Sequence, residues 1–234
     1  MFKVSIIIPA FNNPQFLTRT INSILIQSYL NYEIIISDDT QDDSIKDVIK
    51  EKYSHLSNLF YIKNNSTLGP SRNWNNALSY ATGDLIKMLH HDDWFSSKDS
   101  LQDFIEPLNQ NPSINFAFCI SQHYIGETYI NSHIPDNSDI NTFLSDPFYI
   151  LRNNFIGSPS ATIHKKSDLF YDENLKWFVD CEFYLRFLKG SAFYFIEKSL
   201  ININITEGRL SDECKNNLTI ISDETEYLNK KYNL

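Results

Sequence analysis

Residues 4–25, VSIIIPAFNNPQFLTRTINSIL, contain a strand pattern that is followed at once by a helix pattern. The segment VSIIIPA is β-branched and continuously apolar, which is typical of a central strand covered on both faces. Asn13 and Pro14 then supply an N-cap residue and a proline at the first helical position. Apolar residues follow at helical spacing: Leu17, Ile21, Ile24, Leu25 and Tyr29. This stretch predicts a β-strand that leads directly into an amphipathic helix.

The same alternation continues through the first half of the chain. Further strands are predicted at 33–37, 59–63, 84–90 and 114–121, and an amphipathic helix separates each from the next. Gly83 is expected to end the helix that precedes the fourth strand. Such alternation implies right-handed crossovers, so the fold class is α/β with a doubly wound, mainly parallel sheet flanked by helices.

Beyond residue 122 the alternation decays. We expect a helix around 143–152, another that begins near Asp180, and strands within 191–205. Residues 122–234 are therefore predicted to be an attachment to the first sheet within one domain, rather than a separate unit. The stretch 211–234 is either a docking helix or a plain solvated helix.

Composition excludes several classes of protein. A net charge of -9 argues against nucleic acid as a partner, because backbone phosphates require clustered lysine and arginine. The widely spaced Cys119, Cys181 and Cys214 lack CxxC spacing and fit reduced thiols better than a disulfide frame or zinc site. No signal sequence and no run of roughly 20 apolar residues is found, so a cytoplasmic protein, or one peripheral to a membrane, is expected.

Polar residues mark the predicted strand ends, where doubly wound sheets bind ligands. They are Asn12-Asn13, Asp38-Asp39, Asn64-Asn65 and Asp92-Asp93. Neither a G-x-G-x-x-G motif nor a P-loop is present, so the backbone lacks the usual means of holding a pyrophosphate. Adjacent carboxylates contact phosphates by way of a hard divalent cation, which predicts Mg²⁺ or Mn²⁺.

Four segments in order, VSIIIPAFNN, EIIISDDTQDDS, LGPSRNWNNAL and GDLIKMLHHDD, resemble the family 2 inverting glycosyltransferases of the nucleotide-diphospho-sugar transferase (GT-A) fold. The resemblance is close over about residues 3–110 and looser to about 205. It implies a nucleotide-sugar donor, a UDP-sugar by this interpretation. It also implies that residues 1–121 bind the donor and that residues 122–234 bind the acceptor.

The resemblance assigns donor contacts to the first-half strand ends. Pro9 and Ala10 would make backbone contacts to the nucleotide, and Asp39 would bind the uracil edge with Asp38 beside it. A turn and helix N-cap is the alternative for the two aspartates. Arg72 would contact the nucleotide or diphosphate, with a solvated surface arginine as the alternative.

The metal site that the resemblance implies is His91-Asp92-Asp93. Asp93 would bind the cation and Asp92 the ribose or sugar, since neighbouring side chains on extended backbone point in different directions. His91 stands where the family has an acidic residue, so its role is open. Many relatives also carry a histidine near the final strands, whereas residues 201–213 contain none. The cation would then be held mainly by Asp93 and the diphosphate oxygens.

The second half supplies the base that the resemblance implies. Asp180 opens a helix after aromatic residues and is the predicted general base, with Glu182 as the second choice and a plain N-cap as the structural alternative. Trp177 and Phe178 could partly desolvate Asp180 and raise its pKa, whereas the helix N-terminus would lower it. Ser158 lies in a loop, 156–166, that resembles the segment between donor and acceptor halves; an ordinary turn is the alternative.

The implied reaction moves a sugar from a UDP-sugar to an acceptor hydroxyl with inversion, in synthesis of a bacterial surface glycan or lipopolysaccharide. The acceptor would be a glycan or a lipid-linked glycan, reached by peripheral contact at the inner face of the membrane. Two alternatives stay open. One is a nucleotidyltransferase, although its glycine-rich basic loop is missing; the other is a non-catalytic module that binds nucleotide sugars.

Overall fold

A computed structural model describes residues 1–206 and 210–234. The strands are Val4–Ala10 (β1), Tyr32–Asp38 (β2), Leu59–Lys63 (β3), Leu85–Met88 (β4), Trp94–Phe95 (β5), Ile114–Ile125 (β6), Thr128–His133 (β7), Thr162–Lys165 (β8) and Ala192–Asn204 (β9). The helices are Pro14–Leu25 (α1), Ser44–Val48 (α2), Pro70–Ser79 (α3), Ser100–Gln110 (α4), Asn137–Ser145 (α5), Val179–Leu188 (α6), Leu210–Lys215 (α7) and Leu218–Tyr232 (α8). A π-helical turn at Ile49–Tyr53 extends α2, and 3₁₀ turns lie at Pro147–Leu151 and Pro159–Ala161.

The strands form one mixed sheet of nine, in the order β3-β2-β1-β4-β8-β6-β9-β5, with β7 paired to β6. Strands β3, β2, β1 and β4 run parallel, as do β6 and β9. Strand β8 runs antiparallel to both β4 and β6 and so joins the first-half strands to the later ones. The predicted α/β fold with a doubly wound, mixed sheet is confirmed.

Apolar side chains cover both faces of the sheet. One layer contains Leu17 and Ile21 of α1 together with Phe104 of α4. The other contains Trp74 of α3 and Phe183 of α6. Because helices cover both faces, β1 and β2 are buried along almost their whole length, and each has three consecutive isoleucines at its centre.

Several local predictions were wrong. The helix expected around 143–152 is instead α5, which begins at Asn137, followed by a 3₁₀ turn. Gly83 does not end α3, which stops at Ser79. A Cβ atom at Gly83 would lie 2.6 Å from the backbone nitrogen of Ser5, so this glycine lets the loop before β4 approach β1 closely.

The C-terminal helix α8 is packed on the rest of the fold. Leu228 and Glu224 are 3% and 6% exposed, and Leu228 belongs to the apolar layer that contains α3 and α6. The interpretation of 211–234 as a plain solvated helix is therefore wrong. Within the two described ranges, the helices are all too short or too polar to cross a membrane.

Candidate active site at the carboxyl edge of the sheet

The carboxyl ends of β1, β2 and β4 meet at one edge of the sheet, because these strands are parallel. Asn12 and Asn13, just after β1, both adopt left-handed backbone conformations, with φ of 55° and 50°. Asparagine tolerates this region better than most residues, and the two together turn the chain sharply into α1. Asn13 is the N-cap residue of α1 and Pro14 its first residue, as predicted, but the Asn13 side chain makes no capping hydrogen bond.

Pro9 and Ala10 are buried at the end of β1. The carbonyl of Ala10 accepts hydrogen bonds from the backbone N–H of Asp39 at 2.9 Å and from the side-chain amide of Asn73 at 3.3 Å. These bonds fasten β1 to the loop after β2 and to α3. The backbone at this edge is thus held rigidly.

Asp38 and Asp39 have different surroundings. The fully buried carboxylate of Asp38 accepts from the Tyr61 hydroxyl at 2.6 Å and forms an ion pair with Lys63 at 3.1 Å. Asp39 accepts from the backbone N–H groups of Leu68 and Gly69 at 2.7 and 2.9 Å. Asp38 therefore ties β2 to β3, and Asp39 holds the loop that leads into α3. Their contacts to a nucleotide stay a prediction.

His91 links the ends of β1 and β4. Interactions of its ring with the backbone of Pro9 and of Phe11 favour the charged form, but burial is the larger effect and lowers its pKa. The role of His91, at the position where the resemblance implies an acidic residue, stays open.

Asp92 and Asp93 point into different surroundings. Asp93 is 2% exposed, and its Oδ1 accepts from the backbone N–H of Asn204 at 3.1 Å. Burial, followed by the neighbouring charge of Asp92, raises the pKa of Asp93 well above its usual range. Asp92 is only half-buried. Asp92 is therefore the more accessible of the two carboxylates.

The donor chemistry of this pair fits a hard divalent cation. In residues 1–206 and 210–234, neither Asp92 nor Asp93 forms an ion pair with lysine or arginine, and the nearest histidine nitrogen, on His90, lies 3.8 Å from Asp93. Two adjacent carboxylates with no such partner favour a bound cation. The described residues offer no cluster of three or more metal-ligating side chains, so most ligands would have to come from a diphosphate and water.

Sequence reasoning missed three side chains around this pair. Lys87 is fully buried in β4, donates to the carbonyls of Met88 and Ser160, and has its pKa lowered to about 7 by burial. The Ser160 hydroxyl accepts from the backbone N–H of His90 at 2.9 Å and hydrogen-bonds to Asp93. The Arg19 guanidinium lies 3.6 Å from the centre of the Trp94 ring and donates to the carbonyl of Asp92 at 2.8 Å.

These three residues carry no motif that would have found them. Lys87 is the one with a sequence signal, since a lysine inside an apolar strand breaks the pattern of LIKML. Ser160 lies in the loop 156–161, so the contacts of Lys87 and Ser160 fix this second-half loop against the end of β4. Ser158 itself accepts from the N–H of Ser160 in the same turn.

Asp180 lies in the first turn of α6 and is half-buried. Burial raises the pKa of its carboxyl to about 7, against a small opposing effect of its own backbone N–H. Desolvation therefore outweighs the helix N-terminus, which the sequence alone could not decide. A carboxylate with this pKa is suited to take up a proton near neutral pH.

Glu182, two residues later, is engaged elsewhere. Its fully buried carboxylate accepts from Arg186, Lys231 and Tyr232 at 2.6 to 2.7 Å. Burial alone would raise its pKa, but these hydrogen bonds lower it. The geometry favours Asp180 over Glu182 as a base.

Contacts between aromatic rings link the strand end that carries Asp92 and Asp93 to α6, the helix that carries Asp180. The Trp74 ring lies 5.0 Å from the His90 ring and 5.0 Å from the Tyr171 ring, and the Tyr171 ring stacks on Phe183 of α6 at 4.3 Å. The charge of Asp180 contributes to the raised pKa of Tyr171. The charge of Asp180 therefore acts on a group of aromatic rings that also contacts His90 at the strand end.

Arg72 is placed at the margin of this region. Its side chain is 61% exposed and pairs with Glu173 at 3.1 Å. That contact joins α3 to the loop before α6, and a role in binding diphosphate stays a prediction.

A family model described as "Glycosyl transferase family 2" matches residues 5–171, well over half of the 234 residues. The chain belongs to this family. The match spans β1 through the loop after β8, and so includes the strand-end aspartates but ends before Asp180.

Curated relatives of this family 2 chain include two bacterial glucosyltransferases. A GalNAc(5)-diNAcBac-PP-undecaprenol β-1,3-glucosyltransferase of Campylobacter jejuni is 33% identical over 121 residues, which are 51% of this chain and 39% of that enzyme. A UDP-Glc:α-D-GlcNAc-diphosphoundecaprenol β-1,3-glucosyltransferase of Escherichia coli is 36% identical over 54% of this chain and 48% of that enzyme. The chain thus spans less than half the length of either relative.

Solved structures show the same fold. S. aureus TarS 1–349 in complex with UDP-GlcNAc has a TM-score of 0.71 and 22% identity, over 90% of this chain and 60% of that one. The mannosyltransferase PcManGT of Pyrobaculum calidifontis, in complex with GDP-Man and Mn²⁺, has a TM-score of 0.67 and 15% identity, over 88% of this chain and 58% of that one. These likenesses identify a GT-A fold.

Proposed function

We propose that this family 2 chain is a glycosyltransferase that moves a sugar from a UDP-sugar to an acceptor hydroxyl with inversion. Family membership supports the reaction class, and the names of the E. coli relative and the TarS complex support UDP as the nucleotide. The observation that carries the proposal is the pair of unlike acidic sites. Within the described residues, Asp92 and Asp93 at the strand edge form no ion pair with lysine or arginine, and the desolvated Asp180 lies on a helix that aromatic contacts link to that edge.

The donor is proposed to bind along the ends of β1, β2 and β4, within residues 1–121. Pro9, Ala10 and Asp39 would contact the nucleotide, Asp92 would contact the ribose or sugar, and Asp93 would hold Mn²⁺ or Mg²⁺. A bound cation would neutralise charge on the departing diphosphate. Ser160 would help to orient the buried carboxylate of Asp93 beside that site, and Lys87 holds Ser160 through its backbone carbonyl.

The acceptor is proposed to bind on the side formed by residues 122–234. Asp180 would accept the proton of the attacking hydroxyl, as the oxygen forms a bond to the anomeric carbon and the bond to the diphosphate breaks. Inversion requires one base and no covalent intermediate, so the reaction needs no second catalytic carboxylate. Glu182 is then available to accept a hydrogen bond from Lys231 of α8. The names of the two bacterial relatives support a lipid-linked glycan acceptor. Synthesis of a surface polysaccharide, with peripheral contact at the inner face of the membrane, is part of the same proposal.

Substitution of the base tests this reaction. Asp180→Asn should lower transfer at least about 100-fold, because it removes the proton acceptor, and should leave UDP binding intact. Transfer is measured with UDP-, GDP- and dTDP-sugars, Mn²⁺ and a GlcNAc-diphospholipid acceptor, with the product anomer assigned by NMR. The matched control, Asp223→Asn, changes an exposed aspartate of α8.

Other results would point to other functions. Wild-type transfer by Asp180→Asn would refute the base assignment, and a retained anomeric configuration would refute inversion. Binding of nucleotide sugar without turnover would favour a binding module, and release of pyrophosphate from a nucleoside triphosphate would favour a nucleotidyltransferase.

A further inference from the structure

Glu224 of α8 makes a set of contacts that the proposed reaction does not explain. Its carboxylate is nearly buried and accepts from three successive backbone N–H groups, those of Lys176 at 2.7 Å, Trp177 at 3.0 Å and Phe178 at 3.1 Å. Successive N–H groups that converge on one carboxylate form an anion-binding nest. The occupant of this nest is a side chain 46 residues further along the chain.

These N–H groups lie immediately before α6. Phe178 is the N-cap residue of α6, and its own side chain makes no capping hydrogen bond. Glu224 therefore takes the place of a local cap, supplied from α8. Asp180 is two residues beyond the N-cap, so the position of the cap sets the position of the proposed base.

The same helix holds both flanks of this segment. Lys231 donates to Asp172 and to Glu182, each at 2.6 Å, and Tyr227 donates to Asp172 at 2.7 Å. Asp172 lies before the segment and Glu182 lies after it. The described backbone from 172 to 178 forms no helix or strand, so these contacts with α8 compensate for the missing regular structure.

We propose that α8 positions the catalytic base, with Glu224 as the positioning residue that holds residues 176–178 so that Asp180 faces the acceptor hydroxyl. This inference rests on the proposed role of Asp180. A base must be held close to its productive geometry, and a displacement of about 1 Å can cost on the order of 100-fold in rate. Glu224 itself touches no reacting atom and acts through the backbone.

Glu224→Gln tests the proposal, and Glu226→Gln is the matched control. Glu226 lies on the same helix, and its side chain is 69% exposed. Among the described residues, it forms an ion pair with Lys230 alone. Hydrogen exchange of the amides of residues 176–178 should accelerate at least tenfold in Glu224→Gln and stay at wild-type rates in Glu226→Gln. These rates need no substrate.

A second measurement separates positioning from mere folding. NMR titration of ¹³C-labelled Asp180 should show a pKa closer to the ordinary aspartate value in Glu224→Gln, because the loosened segment admits water. With UDP-glucose and a GlcNAc-diphospholipid, kcat should fall at least about tenfold while KM for UDP-glucose is unchanged. The acid limb of the rate profile should move down with the pKa.

Each outcome decides a separate claim. Unchanged exchange at residues 176–178, or an unchanged titration of Asp180 despite faster exchange, overturns the positioning role. Full transfer by Asp180→Asn would instead remove the proposed base, whatever the exchange rates show.

Discussion

Two carboxylates on the first turn of α6 illustrate how surroundings assign roles at the scale of single residues. Asp180 and Glu182 look interchangeable in the sequence, and both follow the same aromatic segment. Glu182 is saturated by Arg186, Lys231 and Tyr232, whereas burial leaves Asp180 with a pKa raised to about 7. Since partners stabilise the charged form and burial destabilises it, only Asp180 is suited to exchange a proton at neutral pH.

The raised pKa of Asp180 predicts opposite effects of pH on rate and stability. The rate should rise with pH through about 7 and then level off, because the base must be ionised. The pKa of Asp180 is higher in the folded state than in the unfolded state. The stability that this carboxyl contributes is therefore fully present below pH about 4 and is lost as the pH rises to about 7. Asp180→Asn should therefore raise Tm at pH 8 by a few degrees and have little effect at pH 4, as measured by calorimetry. A lower Tm for Asp180→Asn than for the wild type at pH 8 would contradict a desolvated, destabilising carboxylate at Asp180.

The paired aspartates of the strand edge predict a metal-dependent affinity for UDP. Isothermal titration of the wild type with UDP should give at least about tenfold weaker binding in EDTA than in Mn²⁺. Asp93→Asn should lose most of that difference, because it removes the proposed carboxylate ligand. Asp43→Asn, at a side chain that is 61% exposed, serves as the control. Equal affinity of the wild type with and without Mn²⁺ would remove the metal assignment.

At the scale of secondary-structure elements, the sequence predicted the strands and helices whose hydrophobic pattern lies within their own residues. Strand β1 and helix α1 follow directly from a continuous apolar run and a helical repeat, and both were confirmed. Strands β5 and β8 were missed because they are short and pair with strands distant in the chain, and β7 was missed because it is exposed. The same distinction applies to the site, since the aspartates stand at predicted strand ends, whereas Ser160 reaches Asp93 only through the pairing of β8 with β4.

Gly83 allows the loop before β4 to approach β1 closely, which predicts that a larger residue at this position is destabilising. Its backbone N–H donates to the Ser5 hydroxyl at 2.8 Å, and an added Cβ would meet the backbone of Lys3 and Ser5 at 2.7 and 2.6 Å. Gly83→Ala should cost roughly 2–3 kcal/mol of unfolding free energy, because backbone atoms have to shift. Urea denaturation measures this cost. Gly126→Ala, where the φ is +63° but space is open, should cost about 1 kcal/mol; an equal effect at both sites would contradict the steric explanation.

At the scale of the whole molecule, one sheet joins both halves of the chain. Strand β8 bridges β4 and β6, and α8 returns to the loop before α6, so the two acidic regions are parts of one framework. Their relative placement depends on contacts between residues far apart in the chain. This is why the sequence could propose candidate acidic residues but could not predict which of their carboxylates are bound by basic side chains.

The lowered pKa of the buried Glu33 predicts how the stability of this framework changes at low pH. Burial opposes its charge, but hydrogen bonds from Lys3, Ser5 and Thr82 prevail and lower its pKa to about 2. The folded pKa lies below the unfolded value, so its stabilisation is complete above pH about 4.5 and is lost as pH falls towards 2. Glu33→Gln should therefore cost about 1–3 kcal/mol at pH 7, with a lower Tm, and the difference from wild type should disappear near pH 2. Calorimetry from pH 2 to 7 measures this convergence, with Glu51→Gln, at an exposed residue, as the control. Parallel Tm curves for Glu33→Gln and wild type over that range would show that the charge of Glu33 does not stabilise the junction of β1, β2 and the loop before β4.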